Sequence, residues 1–167
     1  PPPASRSSTP TGLVGRIESR RAEAFGLLER LAGEGGRNAS ARRISMRPAR
    51  PFGLLERLAG EGGRFDLVVC DPPAFAKSRK DHGPALKGYE KLARLAAAAV
   101  APGGFLFLAS CSHHVAAAEF AACVARGLAR AGREGRILRL SGAGPDHPVH
   151  PHLPESAYLK AVLLQLD

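Results

Sequence analysis

Two short apolar runs, FDLVVC at Phe65–Cys70 and FLFLAS at Phe105–Ser110, constrain this chain more than any other feature. Neither alternates polar with apolar residues, so neither leaves a face for water. Runs of this kind fit strands buried on both sides of a parallel sheet. Between them Tyr89, Leu92, Leu95, Ala96 and Val100 recur at helical spacing, which predicts a helix over Tyr89–Val100 and a loop over Asp71–Gly88. Pro102-Gly103-Gly104 turns the chain into the second strand. A further helix is expected at Val115–Ala131, where Phe120, Val124 and Leu128 stand four apart, then an alternating edge strand at Arg136–Leu140 and an apolar strand at Ala157–Leu166. Strands alternating with helices imply an α/β fold, a parallel sheet with helical crossovers covering its faces. No helix separates the last two strands, so the final one inserts antiparallel. Ligands of such sheets bind at the carboxyl ends of the strands. Asp71-Pro72-Pro73 and Ser110-Cys111-Ser112 fall there.

The front of the chain is different in kind. Residues 1–14 are a Pro/Ser-rich leader expected to be disordered. Residues 15–64 read as a partial strand–helix segment in which the thirteen residues FGLLERLAGEGGR occur twice without a difference, at Phe25–Arg37 and Phe52–Arg64. Each copy is a short amphipathic helix closed by glycine, and residues 38–51 between them are expected to be a loop. Two copies are too few for a solenoid. A tandem duplication or a sequence-assembly error accounts for them. Residues 65–167 carry the strand and helix pattern set out above and are read as a separate segment.

Net charge is +9, with ten Arg against four Glu in the first fifty residues. That balance favours polyanionic partners, although an Arg-rich leader accounts for it equally well. Every apolar stretch is broken by charge within a few residues, so no membrane span is expected. The three cysteines, Cys70, Cys111 and Cys123, are too few and too scattered for a disulfide framework or a four-ligand zinc site. They point to a reducing compartment, the cytoplasm. The chain begins with Pro1 and has no signal peptide, as expected of a fragment.

The chemistry-bearing residues are few. In Asp71–Phe75 (DPPAF) the prolines stiffen a loop that holds a carboxylate and backbone carbonyls against a flat polar base, with Phe75 as a stacking face. The competing reading is a stiff strand exit with a buried Phe75. Cys111 ends a strand just before an expected helix, whose amino-terminal amides would favour a thiolate; His113 and His114 follow it. Cys70 and Cys123 read as inert core thiols. His147, His150 and His152 match no common metal-ligand spacing, so no metal is expected.

Taken together, FDLVVCDPPAFAKSRK, PGGFLFLASCSHH and AGPDHPVHPHLPESAYLKAVLL resemble the bacterial ribosomal RNA large-subunit cytosine-5 methyltransferase family, over about Phe65–Leu166. The resemblance implies the C-terminal half of a partial Rossmann-like class I sheet, S-adenosyl-L-methionine as cofactor, large-subunit ribosomal RNA as partner and 5-methylcytosine as product. It assigns Cys111 as nucleophile and Asp71 to catalysis. Pro72, Pro73 and Phe75 fall to substrate binding, and Asp71 and Pro72 with Glu23 to the cofactor. The second copy of the repeat has Arg50-Pro51 before its Phe and lacks the acid corresponding to Glu23.

The family's first strand, glycine-rich turn and acidic second strand do not precede Gly15, and an isolated chain without them is expected to be inactive. Two other readings stay open. One is an amino-group methyltransferase acting on adenine or guanine, which needs no cysteine. The other is a truncated, inactive fragment whose Lys77-Ser78-Arg79-Lys80 loop only contacts RNA phosphates.

Overall fold

The computed structural model describes residues 43–46, 51–145 and 147–167. The leader, the first repeat copy with its preceding segment, and Glu23 lie outside the described residues. Residues 41–167 form one compact unit.

The unit is a five-stranded sheet with three helices. In chain order it runs β1 (Arg43–Met46), α1 (Pro51–Gly60), β2 (Phe65–Cys70), α2 (His82–Ala99), β3 (Val100–Ser110), α3 (Ala117–Arg130), β4 (Gly135–Ser141) and β5 (Lys160–Leu166). The sheet order is β1-β2-β3-β5-β4, with β1, β2 and β3 parallel and β5 antiparallel to both neighbours. The crossover through α3 skips one place in the sheet. The last strand fills it, as the missing final helix implied. This is the α/β sheet of parallel strands with an antiparallel last strand expected from the sequence.

Several boundaries need correction. Residues 43–46 are not loop: Arg43–Met46 pairs in parallel with Leu67–Cys70. The signal was a longer repeat. At the same 27-residue offset as the identical thirteen, Arg43, Ile44, Arg47 and Ala49 match Arg16, Ile17, Arg20 and Ala22. The matching sequence thus extends upstream of the thirteen identical residues and, in the second copy, covers both the strand and the helix. Helix α2 starts at His82 rather than Tyr89. Gly83 and Pro84 argued against it, but Pro84 sits in the first turn, where its missing N–H has no intrahelical acceptor to lose. Strand β3 starts at Val100, ahead of the Pro-Gly-Gly turn.

The described helices also cover one sheet face, not both. Consecutive right-handed crossovers between neighbouring parallel strands put α1 and α2 on the same side, and α3 packs on α2. Val68, Cys70, Leu106, Leu108, Val162, Leu164 and Leu166 point to that side and form the core with Leu55, Tyr89, Leu92, Phe120 and Val124. Helices α2 and α3 touch through Gly127, where a Cβ would stand 2.6 Å from the Ala93 Cβ. Beside it the Glu90 carboxylate takes Arg126 at 3.0 Å and Arg130 at 2.8 Å. On the outer edge β4 exposes Ile137 and Leu138 between Arg136 and Arg139, and Leu140 just after them; the two charges discourage edge-to-edge pairing. No described helix is long and apolar enough to cross a membrane.

Candidate active site at the carboxyl end of the sheet

Strands β2 and β3 are parallel neighbours, with Cys70 opposite Leu108. Their carboxyl ends, and the segments leaving them, therefore emerge on one edge of the sheet. Because β5 is antiparallel, its first residue reaches the same edge: Lys160 lies opposite Ser110. Three sequence-distant segments meet there for topological reasons alone.

A buried hydroxyl cluster locks two of them together. The Ser112 hydroxyl accepts hydrogen bonds from the backbone N–H groups of Phe75 (3.1 Å) and Ala76 (3.2 Å). It also lies 2.7 Å from the Tyr89 hydroxyl. The two amides occupy both lone pairs of Ser112, so its own proton points to Tyr89. Ser110 donates to the same phenol at 2.8 Å and accepts from the Ser112 N–H at 3.3 Å. Ser110, Ser112 and Tyr89 are each almost wholly buried. Such a network costs several kcal/mol if left partly unmade, so it specifies one arrangement of the loops.

The alternation of an extended chain explains the rest. Ser110 and Ser112 point inward to Tyr89, so Cys111 between them points the other way. It is half-buried, whereas Cys70 and Cys123 are buried. Burial pushes the Cys70 thiol up to about 12 and raises that of Cys123 as well. Asp71 is half-buried at the end of β2, Pro72 is buried and Pro73 exposed.

Phe75 does not offer a free stacking face. Its ring stacks on Tyr89 (centroids 4.6 Å apart, planes at 29°) and meets Phe52 at 5.8 Å. It lies so close over Gly88 that a Cβ there would stand 3.0 Å from its Cδ2. Phe75 anchors the DPPAF loop to α2. The expected helix terminus beside Cys111 is also absent, because α3 begins only at Ala117, and the Ala116 N–H at its start is bound by Glu119 at 2.9 Å. Lys160 reaches the same segment from β5, its Nζ donating to the carbonyl oxygens of Ser112 (2.6 Å) and Tyr158 (2.9 Å). His113 stacks on Tyr158, with centroids 4.3 Å apart. His150 and His152 are exposed, and among the described residues no three His, Cys, Asp or Glu side chains are grouped to hold a metal.

From the sequence, Ser110 and Ser112 stood out only as neighbours of Cys111 and Tyr89 only as a helix position, and Lys160 was not picked out. The signals were present: serines two apart at a strand end share a side, and one lysine inside the apolar run AYLKAVLL must be buried with partners.

Beyond the hydroxyl cluster the chain leaves Ala76 into a basic turn. Ser78 donates through N–H (2.9 Å) and hydroxyl (2.8 Å) to one Asp81 carboxylate oxygen. Asp81 is thereby spent on closing the turn, and Lys77, Arg79 and Lys80 stand exposed.

Comparison with known proteins is consistent with this geometry. No protein-family model matches the chain. It is 45% identical over 103 residues to a ribosomal RNA large subunit methyltransferase of Deinococcus radiodurans, covering 62% of this chain and 25% of that protein. It is 38% identical over 102 residues to ribosomal RNA large subunit methyltransferase I of Aeromonas salmonicida and of Aeromonas hydrophila, covering 61% of this chain and 26% of each. The chain thus spans about a quarter of the length of these curated relatives. Among solved structures, a proposed S-adenosylmethionine-dependent methyltransferase from Streptococcus mutans superposes with a TM-score of 0.56 at 20% identity, over 68% of this chain and 28% of that one. A proposed methyltransferase complexed with SAH superposes equally well, with a TM-score of 0.56. The chain therefore carries part of a class I methyltransferase fold and is similar in sequence to about a quarter of the length of each of these ribosomal RNA large subunit methyltransferases.

Proposed function

We propose that this chain is part of an S-adenosylmethionine-dependent RNA methyltransferase that forms 5-methylcytosine in large-subunit ribosomal RNA through a covalent cysteine adduct. The observation that carries the reading is the Ser112 clasp. It ties the loop of Asp71 to the residue next to Cys111, which gives a carboxylate and a partly exposed thiol a common rigid support.

The resemblance assigns Asp71 and Pro72 to the cofactor. They follow β2 at the carboxyl edge of the sheet, the edge at which ligands of such folds bind, and a carboxylate with neighbouring carbonyls suits hydroxyl and amino groups. Glu23 is assigned to the adenine side by resemblance. When bound, the cofactor supplies an electrophilic methyl group on a sulfonium.

The chain's own residues supply the activation. C5 of cytosine is a weak nucleophile. The Cys111 sulfur bonds to C6, and the electron pair of the C5–C6 double bond moves to C5. Asp71 stabilises the ring by hydrogen bonding at N3 or the exocyclic amino group. C5, made nucleophilic by Cys111, would then be able to accept the methyl group that a bound cofactor supplies. Loss of the C5 proton to a base then restores the double bond and expels the thiolate. The target base must be unpaired or flipped from its helix to present C6. Lys77, Arg79 and Lys80 would hold neighbouring phosphates without reading sequence.

The test is a trap. Addition of Cys111 to C6 precedes methyl transfer, so even without turnover large-subunit ribosomal RNA carrying 5-azacytidine should form a denaturant-resistant adduct with the chain, and Cys111→Ala should abolish it while leaving RNA binding intact. No adduct, or methyl transfer to an exocyclic amino group that survives Cys111→Ala, refutes the proposal.

A further inference from the structure

Strand β4 ends the sheet, and it is more exposed than its residues warrant. Ile137, Leu138 and Leu140 are 50%, 43% and 61% exposed, three of the five large apolar side chains left open among the described residues. A single exposed apolar residue needs no explanation, but a cluster on one edge strand does.

The pairing with β5 sorts these residues. Gly135, Arg136 and Ile137 stand opposite Leu166, Gln165 and Leu164; the register then shifts, and Arg139, Leu140 and Ser141 stand opposite Leu163, Val162 and Ala161. Leu138 is thus the extra residue of a bulge. Leu164 and Val162 point to the helices, so their partners Ile137 and Leu140 do as well. Arg136 and Arg139 share the other face. Strict alternation would instead have put Ile137 with Arg139.

On the helix side α3 is the last helix of the layer. A groove of about 600 Å³ runs beside it, lined by Val124, Leu128 and Ala129 of α3 together with Ile137 and Leu164. On the other face Arg136 and Arg139 are exposed and belong to no ion pair among the described residues. A second copy is a poor occupant of this edge. In the antiparallel pairing about the middle of β4, Arg136 of one chain would meet Arg139 of the other, and like charges directly opposite destabilise a ladder. The same two charges favour an acidic strand. RNA phosphates would suit the arginines but leave the apolar side uncovered.

We propose that the outer edge of β4 is a docking site for an extended segment of another protein in which apolar and acidic residues alternate. Its backbone continues the sheet beyond β4. Its apolar side chains lie beside Ile137 and Leu140, towards the groove, and its carboxylates stand beside Arg136 and Arg139. The bulge at Leu138 interrupts the ladder, so the docked segment is short. The site stands apart from the methyl-transfer reading and does not depend on it.

The probe is a short labelled peptide alternating valine with glutamate, read by fluorescence anisotropy on the full chain. It should bind about tenfold more tightly than the same peptide with lysine in place of glutamate, because each cross-strand charge pair changes sign. Of two versions N-methylated at alternate residues, at least one should lose binding, since the ladder uses backbone amides. Arg136→Glu combined with Arg139→Glu, both exposed positions, should reverse the preference towards the lysine peptide. Equal binding of the two peptides by the native chain, or binding of neither, overturns the proposal whether or not the variant folds. So does retention of binding by both N-methylated versions, or a folded double variant that keeps the native preference. If single-stranded RNA displaces the peptide and the double variant loses RNA affinity in parallel, the edge is a nucleic-acid surface and the proposal falls.

Discussion

Replacing Ser112 by Ala should loosen the site without touching the thiol. The lost hydroxyl leaves the Phe75 and Ala76 N–H groups without their acceptor and deprives Tyr89 of one of two partners. An unmade hydrogen bond at a buried donor costs about 1–3 kcal/mol. Ala76 is buried and Phe75 only half so, so water recovers part of the second loss. Tyr89 keeps Ser110. The sum is about 3 kcal/mol, a large share of a domain stability of roughly 5–15 kcal/mol. With a urea m-value of about 1.5 kcal/mol per molar, the unfolding midpoint should fall by about 2 M at unchanged slope. Native-state hydrogen exchange supplies the local reading: the Phe75 and Ala76 amides should lose protection far more than amides of β3. A midpoint within about 0.3 M of the native chain, with those two amides still protected, would show that the hydroxyl does not hold the loop.

Gly127→Ala should destabilise the chain by about 2 kcal/mol, because its Cβ would meet backbone as well as a side chain, with the Glu90 carbonyl oxygen at 2.7 Å; thermal melting measures it. The Cys70 thiol is pushed up to about 12, so the folded chain holds that proton while the unfolded chain releases it near its ordinary value. Stability should therefore be intact below about pH 9 and fall as pH rises towards 12, and Cys70→Ala should flatten that alkaline decline in urea titrations. Replacing Lys77, Arg79 and Lys80 together by Ala should reduce the slope of log affinity against log salt for single-stranded RNA by about 2, without changing adduct formation at saturating RNA.

What the sequence disclosed follows from how far each signal reaches. Buried strands such as FDLVVC and FLFLAS declare themselves through composition, and the antiparallel insertion of β5 followed from a missing helix. Boundaries failed where a local signal contradicted tertiary packing. Gly83, Pro84 and Gly88 look like loop residues, yet the first two fit a first turn and the third makes room for Phe75. The RISM strand was hidden because its flanks are polar and its repeat partner diverges. At the site, Cys111 and Asp71 stood out as chemistry. Their supports did not, because Tyr89 counts as one more apolar position on a helix and Lys160 as one more charge. Whether Phe75 meets substrate or core was decided only by Tyr89 beneath it.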